Sequence, residues 1–172
     1  MRPLTAALLA LAASAPSAQT GQPSTALFAD ALGPSGAYAV GIEQAVWTAG
    51  ASERQLRLRL GASYWTETDF LDGPTERVIT VPAGAAALFS LGRPLGVRTA
   101  FEFGAGAVFV RRSGPPYGSV GESFALPAYA EAALRARLGD RVGLRAGVSV
   151  GGEESELAGD GARPVVGVGV GL

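Results

Sequence analysis

From residue 55 the chain reads QLRLRLGASYW, and this alternation limits what it can fold into. Successive side chains of a strand point to opposite faces. Leu56, Leu58, Leu60, Ala62 and Tyr64 therefore share one face, and Arg57, Arg59, Gly61, Ser63 and Trp65 share the other. A helix would scatter both sets around its axis. The segment is a strand with one apolar face and one charged face.

The same sorting works further along. Val97, Phe101, Phe103, Ala105, Ala107 and Phe109 oppose Arg98, Glu102, Gly104 and Gly106. Phe124, Leu126, Ala128, Ala130, Ala132, Leu134 and Leu138 oppose Tyr129, Glu131, Arg135 and Arg137. Val142, Leu144, Ala146, Val148 and Val150 oppose Gly143, Arg145, Gly147 and Ser149. The closing run RPVVGVGVGL sets Val166, Val168, Val170 and Leu172 against glycines. Eight strands are predicted: Thr25–Leu32, Ala37–Trp47, Gln55–Trp65, Glu76–Phe89, Val97–Val110, Phe124–Leu138, Arg141–Gly151 and Arg163–Leu172. Turn-forming clusters such as GPSG, LDGPT and SGPPYGS separate them.

Two architectures give such alternation. A soluble sandwich or lipocalin-like barrel turns its apolar face inward. A transmembrane barrel faces lipid with it and fills the lumen with polar side chains. Strands near ten residues, tilted by ~45°, span roughly the 25 Å apolar band of a membrane. The polar faces hold glycines and alanines beside a few arginines and glutamates, as a narrow eight-stranded lumen requires. Closure removes the free strand edges that a bilayer does not tolerate. The predicted fold is all-β, a single antiparallel up-and-down eight-stranded transmembrane β-barrel.

Loop lengths agree. With the first strand running outward, the external connections are 33–36, 66–75, 111–123 and 152–162, against 48–54, 90–96 and 139–140 at the periplasmic end. Three of the four external loops are longer than every periplasmic turn, which is the usual asymmetry. Tyr38, Tyr64, Phe109 and Phe124 fall near the external ends, as half of an aromatic girdle. Gln44 lands on the lipid face, and Pro82 and Pro127 lie inside strands, where proline breaks ladder bonds.

Before the barrel, MRPLTAALLALAASAPSAQT has a basic start, a short apolar run and small residues leading to a cut after Ala18. This is a signal-peptide pattern. The expected division is 1–18 signal peptide and 19–172 barrel, with export to the cell outer membrane.

The opening LFADALGPSGAYAVGIE, a short strand, a Gly-rich turn and a Tyr- and Glu-bearing strand, resembles an uncharacterised group of small outer-membrane β-barrel proteins of Gram-negative bacteria. That resemblance implies an eight-stranded outer-membrane barrel with no agreed molecular activity. Such barrels commonly end in an aromatic residue that aids assembly; this chain ends in Leu172.

Composition removes much hydrolytic enzymology. The chain has no histidine and no cysteine. It lacks a Ser-His-Asp site, an imidazole base, a thiolate nucleophile and a zinc knuckle. All 14 basic residues are arginine, nearly balanced by 15 acids, which excludes a strongly basic nucleic-acid coat. The glycines of GVGVGL form no phosphate-binding turn, because no helix follows. The carboxylates of TETDFLDGPTE and GGEESELAGDG lack calcium-loop spacing and read as solvated loop charges, with weak divalent-cation binding beside lipopolysaccharide phosphates as the alternative.

The candidate site is the inward set Glu43, Arg57, Arg59, Arg98, Glu102, Glu131, Arg135, Arg137 and Arg145. Three readings compete for it: a structural ion-pair plug, an arginine-lined pore preferring anions, and, last, catalysis. The plug fits an eight-stranded lumen best. In this register six arginines outnumber three glutamates, with Glu131, Arg135 and Glu102 at the centre. The expectation is a monomeric, non-enzymatic barrel with a structural, envelope-integrity or surface-interaction role, without cofactor or metal. Its partners would be outer-membrane lipid, lipopolysaccharide and the barrel-assembly machinery. A soluble secreted or periplasmic barrel binding an apolar ligand is the alternative from another class.

Overall fold

The alternating runs become neighbouring staves of one closed sheet. The computed structural model describes residues 25–49, 54–67, 76–114, 121–152 and 161–172. The proposed signal peptide lies outside them. The strands are β1 (Thr25–Leu32), β2 (Tyr38–Ala49), β3 (Arg54–Glu67), β4 (Glu76–Gly92), β5 (Arg98–Gly114), β6 (Gly121–Ala125), β7 (Ala128–Leu138), β8 (Val142–Gly151) and β9 (Ala162–Gly171). All pairings are antiparallel, and the β4–β5 ladder closes the ring. β6 and β7 both pair with β5 and form one stave, so the barrel has eight.

Both prolines act through their missing N–H rather than by shifting register. Pro127 divides the predicted strand Phe124–Leu138 into β6 and β7. Val110 still faces Ala125 and Ala107 still faces Ala128, so the register continues across the break. Pro82 stays within β4, opposite Val108, while the β3–β4 ladder lapses between Leu60–Ala83 and Ser63–Thr80. The true irregularities lie between Ala45 and Trp47 and between Ser90 and Gly92.

Burial decides between the two architectures. Leu27, Val40, Leu58, Phe103, Leu134, Val148 and Val168 are all exposed, while Glu43, Arg57, Arg59, Glu102, Glu131 and Arg145 are buried. A soluble barrel with an apolar interior reverses this order. The fold is an eight-stranded barrel with its apolar face outward, the arrangement of a transmembrane barrel. Gln44 corrects the expectation of a bare lipid-facing amide. It is buried, and the hydroxyl of Thr25, across the β1–β2 ladder, donates to its Oε1 at 2.6 Å.

The connections 33–37, 68–75, 115–120 and 152–161 join strands at one end, here the long-loop end. Those at 50–53, 93–97 and 139–141 join them at the other, the short-turn end, where Leu172 N donates to Thr25 O. Tyr38, Tyr64, Phe109 and Phe124 are exposed near the long-loop end. Phe109 and Phe124 stack at 5.9 Å, and the Tyr38 hydroxyl donates to the Tyr64 carbonyl.

Candidate functional site: a buried ion-pair layer in the lumen

The inward polar residues meet in one layer across the barrel. Asp30 enters from β1, Glu43 from β2, Arg57 and Arg59 from β3, Glu102 from β5, Glu131 and Arg135 from β7, and Arg145 from β8. β4 and β9 contribute small side chains instead.

Arg59 is the hub. Its Nη2 donates to Asp30 at 2.9 Å and its Nη1 to Glu131 at 3.0 Å. Glu43 and Glu102 lie 3.5 and 3.6 Å from its guanidinium. The same group stands 4.4 Å over the ring of Phe28, a cation–π contact. Arg145 donates to Asp30 at 3.0 Å and to Glu131 at 2.7 Å. Arg135 grips both oxygens of Glu43 at 2.7 Å and also pairs with Glu102. Arg57 donates to Glu43 at 2.9 Å and to Gln55 at 3.0 Å. Glu102 is 0 % exposed. Bidentate and charge-assisted bonds of this kind are the strong ones.

This corrects the charge count expected from sequence. Asp30 joins Glu43, Glu102 and Glu131, so four carboxylates meet the four arginines Arg57, Arg59, Arg135 and Arg145. The central layer is evenly paired. Glu131 pairs with Arg59 and Arg145 rather than with Arg135 of its own strand. Arg98 and Arg137 stand outside the layer, toward the short turns, and make no ion pair among the described residues. Asp30 was legible: Leu27, Ala29 and Ala31 alternate outward in TALFADAL, which sends Phe28 and Asp30 inward. Arg163 also faces inward and is buried.

The inward glycines make the space these side chains need. Gly167 stands opposite Asp30 in one ladder and opposite Arg145 in the other. A Cβ there would fall on the Asp30 carboxylate. That accounts for Gly167; at Gly169 a Cβ would meet nothing nearer than 3.5 Å. Gly84 and Gly106 likewise leave room for Tyr129, and Gly104 for Glu131. Gly167→Ala is expected to lower stability by about 1–3 kcal/mol through overpacking. Gly143→Ala, whose Cβ would meet nothing nearer than 4.0 Å, should be close to neutral. Urea unfolding midpoints in lipid vesicles check the pair.

On the long-loop side of the layer, Val78, Val108, Val110 and Tyr129 form an apolar cluster, backed by Trp65. On the short-turn side lies a cavity with an open mouth, lined by Arg98, Arg137 and Arg141 among others. Most loop carboxylates singled out from sequence, including Asp69, Asp72, Glu153, Glu154, Glu156 and Asp160, lie outside the described residues.

No protein-family profile matches the chain, and no curated protein matches it in sequence. Among solved structures, it is similar to Ail, the attachment invasion locus protein of Yersinia pestis, crystallised with the heparin analogue sucrose octasulfate. The TM-score is 0.52 at 10 % identity, over 86 % of this chain and 94 % of that one. A second crystal structure of Ail gives 0.49 at 11 % identity, over 86 % and 93 %. The likeness is one of fold.

Proposed function

We propose that this chain is a non-enzymatic, monomeric barrel of the outer membrane, acting at the cell surface or in envelope integrity, within the group of small Gram-negative barrels that its opening resembles. The observation carrying this reading is the inversion of the barrel: apolar side chains outside, a paired ionic layer inside. Such a surface is at home in lipid, and such a lumen is braced rather than open. Lipid and lipopolysaccharide would surround the mature protein, which would be inserted by the barrel-assembly machinery after removal of residues 1–18. The shared fold with an attachment protein supports a surface-binding role for the long-loop end, with an anion-preferring pore as the weaker reading. The paired layer and the cluster around Tyr129 both stand across a pore's path.

Cell fractionation and gel mobility test the placement. The protein should co-sediment with outer membrane, stay folded only in detergent or lipid, and migrate differently before and after boiling. A folded, detergent-free, soluble monomer would overturn it. For the role, bacteria displaying the barrel should adhere to cultured cells above a vector control. Steady single-channel conductance without adhesion would favour the pore.

A further inference from the structure

The half of the lumen facing the short turns carries a charge excess that the paired layer does not use. Arg98, Arg137 and Arg141 line the cavity there, together with the short-turn side of the layer. Arg98 and Arg137 stand directly opposite one another in the β5–β7 ladder. Like charges so placed repel. Neither guanidinium makes a hydrogen bond or ion pair with a described residue, and Nη1 of Arg98 is shut off from solvent without an acceptor. A buried donor left without a partner is costly.

The nearby carboxylates relieve this only from a distance, without an ion pair to Arg98 or Arg137. Glu43 is held by Arg57 and Arg135, and Asp30 by Arg59 and Arg145. Asp140 acts on Arg137 from the β7–β8 turn, but it is exposed and forms no ion pair with it. Ala26, Phe28, Leu88 and Ala100 give the cavity apolar walls, which strengthen electrostatics inside. Ser90 adds a hydroxyl at its edge.

We propose that this vestibule is a binding site for a phosphate monoester group, presented either by a small soluble molecule or by a lipid headgroup. A phosphate monoester carries about −1.5 to −2 charge and three acceptor oxygens. That suits the guanidinium groups of Arg98, Arg137 and Arg141, none of which pairs with a described residue and whose planar forks each match two oxygens. A single carboxylate would leave most of the excess in place. The paired layer forms the floor, so the occupant enters and leaves by one mouth. The site is a receptor at the short-turn end, distinct from any surface role of the long loops, and stands or falls separately from it.

The test uses the whole barrel folded in phosphatidylcholine vesicles. Thermal unfolding is followed with added phenyl phosphate, and separately with phosphatidic acid mixed into the vesicles. The parent should be stabilised saturably by one of the two probes, and which one identifies the source. Arg98→Gln/Arg137→Gln should weaken that response by about tenfold or more, since charged hydrogen bonds are lost. It should also fold well, because the change relieves repulsion. Arg54→Gln, at an exposed position of the same end, should respond like the parent. Equal responses in parent and double variant, or no saturable response to either probe, would overturn the proposal.

Discussion

Arg59→Met will destabilise the barrel by about 3–5 kcal/mol, the loss typical when one member of a buried ionic group is removed. The reason is its position as hub. It is the one guanidinium within 3.6 Å of Asp30, Glu43, Glu102 and Glu131 among the described residues. Without it, four carboxylates share three arginines in a lumen where Glu102 has no access to solvent. Arg57→Met should cost less, because Arg57 pairs with Glu43, a carboxylate that Arg135 still grips. Arg137→Gln, outside the layer, should be neutral or slightly stabilising. Glu131→Gln added to Arg59→Met should recover part of the loss, since it removes one unpaired charge. Urea midpoints in phosphatidylcholine vesicles measure all four. Equal midpoints for the Arg59 and Arg57 variants would show that the hub carries no special weight.

What the sequence could reveal here follows from the range of each interaction. The facing of Arg57, Arg59, Glu102, Glu131 and Arg145 needs only period two, a local property, and could be read residue by residue. The pairing of Arg59 with Glu131 joins residues 72 apart, on staves that are not neighbours. It depends on how the closed sheet staggers its strands, which no single strand encodes. The same cause misplaced Glu131 beside Arg135: sharing a strand face does not make two side chains meet across a lumen. Asp30 is a different case, since its alternation was plain in TALFADAL and only a sorting of the first strand was needed. Gln44 shows the converse limit. Its polarity argued against the lipid face, but the hydroxyl of Thr25 that makes the position tolerable comes from another strand.

The outward face yields the second large effect. Leu58 is 40 % exposed and Val148 51 %, and both lie at the depth of the ionic layer, flanked by Arg57 and Arg59 in one case and by Ser149, opposite Glu131, in the other. If lipid covers this face, Leu58→Arg and Val148→Arg should each cost roughly 2–4 kcal/mol, the range for arginine at the bilayer midplane. Phe124→Arg, near the long-loop rim, should cost only about 0–1 kcal/mol, because the penalty falls toward the interface. Ser149→Ala, on the buried face, removes a hydroxyl that has no partner and should change little. In a soluble barrel the three arginine substitutions would all sit in water, where such changes usually stay within about 0.5 kcal/mol. The gradient with depth therefore carries the argument, more than any single value. Vesicle unfolding midpoints that are alike for Leu58→Arg, Val148→Arg and Phe124→Arg would mean that lipid does not cover this face.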